Sequence, residues 1–147
     1  VVRSGSYIIG PVIIGQDCDI GPNCYIRPYT SIGDSCHIGS AVEVKNSIIM
    51  RASKIPHYNY VDDSIIGEGC NLGAGTQIAN LRLNKRAIWV VNLETKRRKL
   101  GAIIGERVEI GVNACINVGC IIGSNTHIGL GAIATGVISP DSRIFEV

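Results

Sequence analysis

The chain has 147 residues, with 14 Lys plus Arg, 12 Asp plus Glu and a formal net charge of +2. This length predicts one domain over 1–147, and the balanced charge gives no electrostatic basis for nucleic acid or a membrane as a partner. Apolar residues form 46% of the chain, too many for a disordered protein, yet no run reaches the ~18 residues of a membrane span and no signal-peptide layout opens the sequence.

The composition predicts an all-β fold. The chain contains 25 Ile and 13 Val but only one Phe and one Trp. A core of β-branched residues with few aromatic rings is typical of many short, stacked strands. The chain opens with Val1 and Val2 rather than Met, so we expect it to be a fragment of a longer protein.

An aliphatic residue recurs at every sixth position from the start of the chain. The first column of this repeat is Val2, Ile8, Ile14, Ile20, Ile26, Ile32, Ile38, Val44 and Met50. The period returns at Ile66, Leu72 and Ile78, and again at Ile104, Ile110, Ile116, Ile122 and Ile128. Neither a helix nor a long flat strand has a period of six. The spacing predicts short strands with a corner after each, coiled so that one residue per hexad points inward.

Two further columns accompany the aliphatic one. Ten of the 18 glycines directly follow an inward aliphatic residue, in what we call the glycine column, which indicates a corner that needs left-handed dihedrals or no side chain. A small residue comes four positions after the aliphatic one, and five of the six Cys fall there. We therefore expect buried, free thiols, which are typical of a reducing cytoplasm, and an exposed Cys115 out of phase. The Cys spacing predicts no metal site.

This pattern resembles the hexapeptide repeat of left-handed parallel β-helices. The resemblance implies that three hexads form one triangular coil of about 18 residues and that the handedness is left-handed. It also implies a homotrimer, and many such proteins are acyltransferases that use acetyl-CoA or a related thioester.

Two cations interrupt the glycine column. Arg27 and Lys45 are 18 residues apart, so one full coil should place them side by side on the same wall. A phosphate that bridges them would offset their repulsion. The alternative is a pair of solvated surface charges.

The first break in the period lies between Met50 and Ile66. It contains His57, Tyr58 and Tyr60 after a proline. The unperturbed pKa of a histidine, ~6.5, suits proton abstraction at neutral pH, so His57 is a candidate general base. We expect it on the same wall as Arg27 and Lys45. A structural histidine is the alternative.

The second break, about 81–100, predicts a loop that protrudes from the coil as a hairpin. A short strand is expected from Ala87 to Val91, and seven of the 14 basic residues lie between Arg82 and Lys99. A solvated basic loop is the usual interpretation, and the alternative is a binding site for an anionic ligand. Nucleic acid is the weaker choice of ligand, because Trp89 is the only aromatic residue of the loop.

The stretches V-E-V-K-N-S-I-I and I-P-H-Y-N-Y-V-D-D-S-I-I-G-E-G-C-N-L-G-A-G-T-Q-I-A-N resemble the acetyltransferase half of bifunctional sugar-1-phosphate nucleotidylyltransferase/acetyltransferases, the archaeal members above all. These enzymes make UDP-N-acetylglucosamine. The resemblance implies N-acetylation of glucosamine 1-phosphate or galactosamine 1-phosphate by acetyl-CoA. The nucleotidylyltransferase half, with its own Mg²⁺ site, would precede this chain and is absent from it.

The resemblance also assigns roles to individual residues. The sugar-phosphate cations fall on Arg27 and Lys45, the catalytic histidine on His57 and a phosphate-contacting tyrosine on Tyr60. A sugar contact falls on Asn71, and two acetyl-CoA contacts fall on Ala74 and Asn80. A lysine that reaches in from a neighbouring subunit falls on Lys85.

Three other functions compete with this one. The first is a non-catalytic β-helix that only trimerises a nucleotidylyltransferase, which would have no reason to keep the substrate residues together. The second is a zinc enzyme with three His ligands, but His37 and His127 are far apart in the sequence. The third is acetyl transfer to an acceptor other than an amino-sugar phosphate. The paired cations Arg27 and Lys45 favour an acceptor that carries a phosphate.

Overall fold

The structure is a computed structural model, and it describes residues 1–145. Within these residues all regular secondary structure is β: 23 short strands, numbered β1 to β23 in chain order. Twenty-one of them form three parallel sheets of seven strands each, and two form a separate hairpin. The predicted all-β fold, a parallel β-helix of hexapeptide repeats, is confirmed. In the described part of the chain no helix is long and apolar enough to cross a membrane.

Each sheet is one wall of a three-sided solenoid, and the chain visits walls B, C and A in turn. Wall A consists of β3 (Asp19–Ile20), β6 (His37–Ser40), β9 (Lys54–His57), β12 (Asn71–Leu72), β17 (Glu109–Ile110), β20 (His127–Ile128) and β23 (Arg143–Ile144). Wall B consists of β1 (Tyr7–Ile8), β4 (Tyr25–Ile26), β7 (Glu43–Lys45), β10 (Tyr60–Asp62), β13 (Gln77–Ile78), β18 (Cys115–Ile116) and β21 (Ile133–Ala134). Wall C consists of β2 (Val12–Ile14), β5 (Thr30–Ile32), β8 (Ile48–Ile49), β11 (Ile65–Ile66), β16 (Ile103–Ile104), β19 (Ile121–Ile122) and β22 (Val137–Ile138).

The interior is filled by the aliphatic column and the small residues at the corners. Ile38 stacks on Ile55 and Leu72 on Ile110 in neighbouring strands, and all four are buried. The five Cys of the repeat are buried and free, and Cys115 is exposed, as the phase predicts. Burial of this much aliphatic surface is the main force that holds the coils together.

The predicted inward column is wrong at its two ends. Val2 is exposed, and Met50 is 43% exposed because Ile49 points inward in its place. The steps from Val44 to Ile49 and from Val61 to Ile66 have five residues rather than six, so Ile49 pairs with Ile32 and with Ile66 at a spacing of 17. The segment predicted to be a break is therefore one slightly short coil, from Ile49 to Ile66, and the coil before it is equally short.

The glycine column has a simpler cause than left-handed dihedrals. A Cβ atom at Gly39 would overlap the carbonyl oxygen of Pro56 in the next coil. At most corners the left-handed residue lies two positions further along, for example Asp17 with φ 55° after Gly15 and Asn125 with φ 58° after Gly123. Glycine is thus needed for close contact between coils, and a charged residue in that column must project its side chain outward.

The hairpin leaves the solenoid at the edge between walls B and C. Its strands are β14 (Trp89–Val90) and β15 (Leu93–Glu94), so the predicted strand from Ala87 to Val91 is too long. The backbone N–H of Leu100 donates to the carbonyl of Asn80 at 3.0 Å, which brings the two ends of the loop together.

The outward faces of the walls differ in chemistry. On wall A the middle outward positions are polar: Asp19, His37, Lys54, Asn71, Glu109, His127 and Arg143. On wall C the aligned positions are Ile13, Ser31, Ile48, Ile65, Ile103, Ile121 and Val137. This second set, the wall C ladder, leaves an apolar stripe along the whole solenoid.

Candidate active site

The two cations of the glycine column are neighbours at the end of wall B. Strands β4 and β7 pair with Ile26 opposite Val44, and the N–H of Arg27 donates to the carbonyl of Val44 at 2.8 Å. Arg27 and Lys45 therefore lie side by side at the edge between walls B and C, as the 18-residue spacing predicts. The Arg27 guanidinium also lies over the Tyr25 ring, 5.6 Å from its centroid, which restricts where the cation can point.

A buried carboxylate completes this pair, and the sequence reasoning missed it. Asp62 pairs with Lys45 in the ladder, so it occupies the next place in the same column. Its Oδ2 atom lies 3.7 Å from Nη1 of Arg27 and 3.6 Å from Nζ of Lys45. The expected repulsion between the cations is thus offset within the chain itself. The sequence did contain a signal for it. Asp62 is a third charged residue in the glycine column, one short coil of 17 residues after Lys45.

Asp62 is a buried carboxylate without a hydrogen-bond donor among the described residues. Its side chain is 0% exposed, and neither carboxylate oxygen accepts a hydrogen bond from the described residues. Burial and the negative charge of Glu43 raise the pKa of Asp62 to about 6, although Lys45 acts in the opposite direction. We call Arg27, Lys45 and Asp62 together the clamp.

The corner next to the clamp is fixed by hydrogen bonds. Asp63 accepts one from Asn46 at 2.8 Å and one from Asn80 at 2.7 Å, and its Oδ2 lies 3.2 Å from Nζ of Lys45. Burial raises the pKa of Asp63, but these bonds and the Lys45 charge outweigh burial and hold it below the usual value. Lys45 therefore faces two carboxylates.

Tyr60 lies on the outer face of wall B beside Glu43, on the same strand as Asp62 and two residues before it. Its hydroxyl donates to Oδ1 of Asn80 at 3.4 Å. Burial and the charge of Asp62 raise the pKa of Tyr60 to about 12. The phenol therefore stays protonated at neutral pH and remains a hydrogen-bond donor. Asn80, assigned to acetyl-CoA by resemblance, lies at the clamp end of this wall.

His57 is not on the same wall as the cations, which corrects the expectation that all three share one. It ends β9 on wall A, at the edge between walls A and B. Its N–H donates to Asn59 at 3.0 Å and its carbonyl accepts from Gly75 at 2.9 Å, so its backbone is tied to the next coil. Asp62 follows His57 by five residues, which span at most ~18 Å.

The remaining site candidates are dispersed. Ala74 neighbours His57 at the same edge, because Gly75 bonds to His57. Asn71 lies in the middle of wall A, paired with Lys54 and Glu109, away from the clamp. Lys85 lies in the hairpin, where its carbonyl accepts a hydrogen bond from Arg98. One chain thus brings together the clamp, Tyr60 and Asn80, with His57 and Ala74 across the wall.

Buried asparagine and serine side chains replace cysteine at the corners around this site. Asn59 accepts from the N–H of His57 and donates to the carbonyl of Gly73 at 2.8 Å. Sequence reasoning did not single it out, although it stands in the small-residue column. Among residues 1–145, no group of three or more His, Cys, Asp or Glu side chains is placed to hold a metal ion.

The fold and the wall B site define a class, the hexapeptide-repeat β-helix proteins. A solved structure of AntD, an N-acyltransferase from Bacillus cereus, superposes with a TM-score of 0.72. The match covers 95% of this chain and 80% of AntD at 15% identity, so it supports the fold alone. That crystal contains dTDP-4-amino-4,6-dideoxyglucose and coenzyme A.

The chain belongs to the family described as the GMPPB C-terminal domain, which matches residues 8–118. A bifunctional sugar-1-phosphate nucleotidylyltransferase/acetyltransferase from Sulfurisphaera tokodaii is 50% identical over 136 residues, which cover 90% of this chain and 34% of that protein. The bifunctional protein GlmU of Methanocaldococcus jannaschii is 42% identical over 130 residues, covering 86% and 32%. The chain spans about one third of the length of these curated relatives.

Proposed function

We propose that this chain transfers the acetyl group of acetyl-CoA to the amine of an amino-sugar 1-phosphate, glucosamine 1-phosphate or galactosamine 1-phosphate. The observation that carries the proposal is the clamp. Two cations from adjacent coils lie next to a protonated phenol and across one wall from a histidine. The names of the relatives, which combine nucleotidylyltransferase and acetyltransferase activities, agree with this chemistry.

The phosphate of the acceptor binds at the clamp end of wall B. Arg27 and Lys45 supply charge-assisted hydrogen bonds, each worth ~1.5–3 kcal/mol, and the hydroxyl of Tyr60 donates a further one. With the phosphate fixed, the sugar ring lies across wall B and directs its amine toward His57. Positioning of this kind lowers the entropic part of the barrier.

His57 is the general base. The amine nitrogen attacks the thioester carbonyl, the new N–C bond forms, and the imidazole accepts the proton that the nitrogen loses. When the tetrahedral intermediate collapses, the C–S bond breaks and the thiolate receives a proton. The side chain of His57 is exposed, while its backbone is fixed by Asn59 and Gly75. The side chain is therefore accessible to substrate from a fixed backbone position.

Acetyl-CoA lies along wall B beyond Tyr60. A groove there is lined by Gln77, Ala79, Cys115 and Asn117, and a second one continues between Asn117 and the start of the hairpin at 81–84. The first groove has a largely apolar surface, which suits the pantetheine chain. Ala74 and Asn80 flank this path at its two edges, in agreement with their assignment to coenzyme A.

The active unit is a homotrimer, supported by the wall C ladder. A stripe of five isoleucines and a valine, interrupted once at Ser31 and with Ile13 at 71% exposure, is unusual for a surface that stays in water. The hairpin leaves at the edge of this wall, so a subunit packed there receives the hairpin beside its own clamp. Lys85 then completes the phosphate site from the neighbouring chain. The free buried thiols support a cytoplasmic location.

The test is a coenzyme A release assay with four acceptors: glucosamine and galactosamine, each with and without the 1-phosphate. Turnover should require the 1-phosphate, and Arg27→Ala or Lys45→Ala should mainly raise KM for it. Equal use of free glucosamine would overturn the assignment of the clamp. Absence of coenzyme A release with every acceptor, from a folded trimer, would favour the alternative of a domain that only assembles a nucleotidylyltransferase.

A further inference from the structure

The clamp and its two neighbouring carboxylates, Glu43 and Asp63, together contain more negative charge than a phosphate site needs. Around Asp62 lie Arg27, which directly follows β4, and Glu43 and Lys45 of β7. Strand β10 contributes Tyr60, and Asp63 follows that strand. The next strand, β13, contributes no ionisable group. Fully ionised, the cluster has two positive and three negative groups, since Tyr60 stays neutral. A phosphate dianion would then meet a net negative site.

Asp62 is the group that can relieve this conflict. It is 0% exposed and touches both cations, yet its oxygens lack hydrogen-bond donors in the described residues. Asp63 cannot play this part because Asn46 and Asn80 both donate to it and stabilise its charge. Glu43 is more exposed, and its nearest cation, Arg27, is 3.9 Å away.

We propose that Asp62 is the positioning residue of the clamp: its carboxylate holds Arg27 and Lys45 together in the free enzyme and takes up a proton when a phosphate dianion binds. The proton comes from solvent and joins a carboxylate oxygen. The two cations are then released to the phosphate, and the new O–H group donates to a phosphate oxygen. The inference rests on the proposed function, since it assumes that the clamp binds phosphate.

The pKa of Asp62 in the free protein supports this order of events. At about 6 it is high enough for the group to protonate readily, and low enough that the group is mostly ionised above neutral pH. A dianion at the distance of a direct contact raises it further. Because binding and protonation are linked, phosphate affinity should fall as pH rises above 6.5.

The experiment is calorimetric titration of the whole chain with N-acetylglucosamine 1-phosphate, which carries the phosphate but has no amine to titrate. Titrations at pH 7.5 in buffers of different ionisation enthalpy give the number of protons taken up. The ligand is itself almost fully dianionic there, because its second pKa is ~6. We expect uptake of about half a proton or more per ligand, and a Kd that rises by up to about tenfold per pH unit between pH 6.5 and 8.5.

Two substitutions assign the proton. Asp62→Asn should abolish the uptake and flatten the pH dependence, whereas Asp19→Asn on wall A, a matched control, should change neither. Uptake that persists in Asp62→Asn but disappears in Glu43→Gln would overturn the proposal. So would binding by the wild-type protein without proton uptake, a result that needs no folded variant. Absence of any binding would instead refute the phosphate clamp, and with it the proposed function.

Discussion

His57 and His37 allow a matched comparison at the level of single residues. Both belong to wall A, but His57 ends its strand at the edge of wall B, whereas His37 is 3.7 Å from Asp19 in the middle of the polar face. We expect His57→Ala to lower acetyl transfer by ~10²–10⁴, the usual effect of a lost general base. His37→Ala should leave turnover unchanged.

The measurement is kcat for coenzyme A release, with thermal melting to confirm that both variants fold. Near-normal turnover in His57→Ala would contradict its role as the base. Equal losses in the two variants would indicate a general effect on wall A rather than on the reaction.

Asp62 also makes a prediction about stability. Its folded pKa is raised, so the fold favours its protonated form, and its contribution to stability is lost as pH rises from about 4 to about 6. Asp62→Asn does not titrate. The free energy of unfolding of Asp62→Asn relative to wild type should therefore increase by roughly 2 kcal/mol between pH 4 and pH 7. Urea denaturation at the two pH values, at one protein concentration, measures this difference, and a difference that stays constant would contradict the raised pKa of the buried Asp62 carboxylate.

At the scale of the repeated element, the corners predict how the thiols react. Burial raises the pKa of Cys24, Cys36 and Cys70, and that of Cys120 to about 11. Thiolates are therefore scarce where reagents also have no access. One thiol, Cys115, should react with a maleimide in the native protein, and six after denaturation. Mass spectrometry counts the labels, and Cys115→Ser is the control that should remove the native signal. Rapid native labelling at five or six sites would mean that the corners are open.

The hairpin is an insertion into an otherwise regular coil. Ile66 pairs with Ile104, which lies 38 positions later, and removing the 20 residues of 81–100 leaves 18, the length of the coil from Ile104 to Ile122. The carbonyl of Asn80 already accepts from the N–H of Leu100. Joining Asn80 to Gly101 should therefore keep the solenoid and change Tm by less than about 5 °C.

The same deletion should nevertheless abolish acetyl transfer, because it removes Lys85 and one side of the groove. Lys85→Ala alone is the smaller change and should retain the groove. Full activity after the deletion would show that the hairpin has no part in the site. Unfolding would show that Ile88, which is buried against the coil beside Gly119, is needed for stability.

At the scale of the whole molecule, sites shared between chains should complement one another. His57→Ala and Lys85→Ala are each expected to be impaired alone. In trimers assembled at random from an equal mixture, about a quarter of the sites combine an intact His57 with an intact Lys85 from the neighbour. Activity after co-refolding should therefore exceed the average of the two variants. Activity at that average would place both residues in one chain, or Lys85 outside the site.

The sequence predicts the solenoid well because its period of six is a direct consequence of how each coil packs. The prediction fails at Met50, because counting in sixes cannot show that the preceding corner is one residue shorter. That becomes visible only when Ile49 is seen to pair with Ile32. The pairing of Arg27 with Lys45 follows from spacing alone. The role of Asp62 does not, because it depends on burial of the side chain, which the spacing does not show. The same carboxylate in water would be an ordinary surface charge.

The regular stacking of coils has a consequence for how such sites change. Side chains in one column are separated by multiples of roughly 4.8 Å, the distance between neighbouring strands. Three successive positions in such a column are occupied by Arg27, Lys45 and Asp62. The length of the site is therefore set by the spacing between neighbouring coils rather than by the conformation of a loop. A basic substitution at Ala79, the next step after Asp62, would lengthen it for a diphosphate without any change to the scaffold.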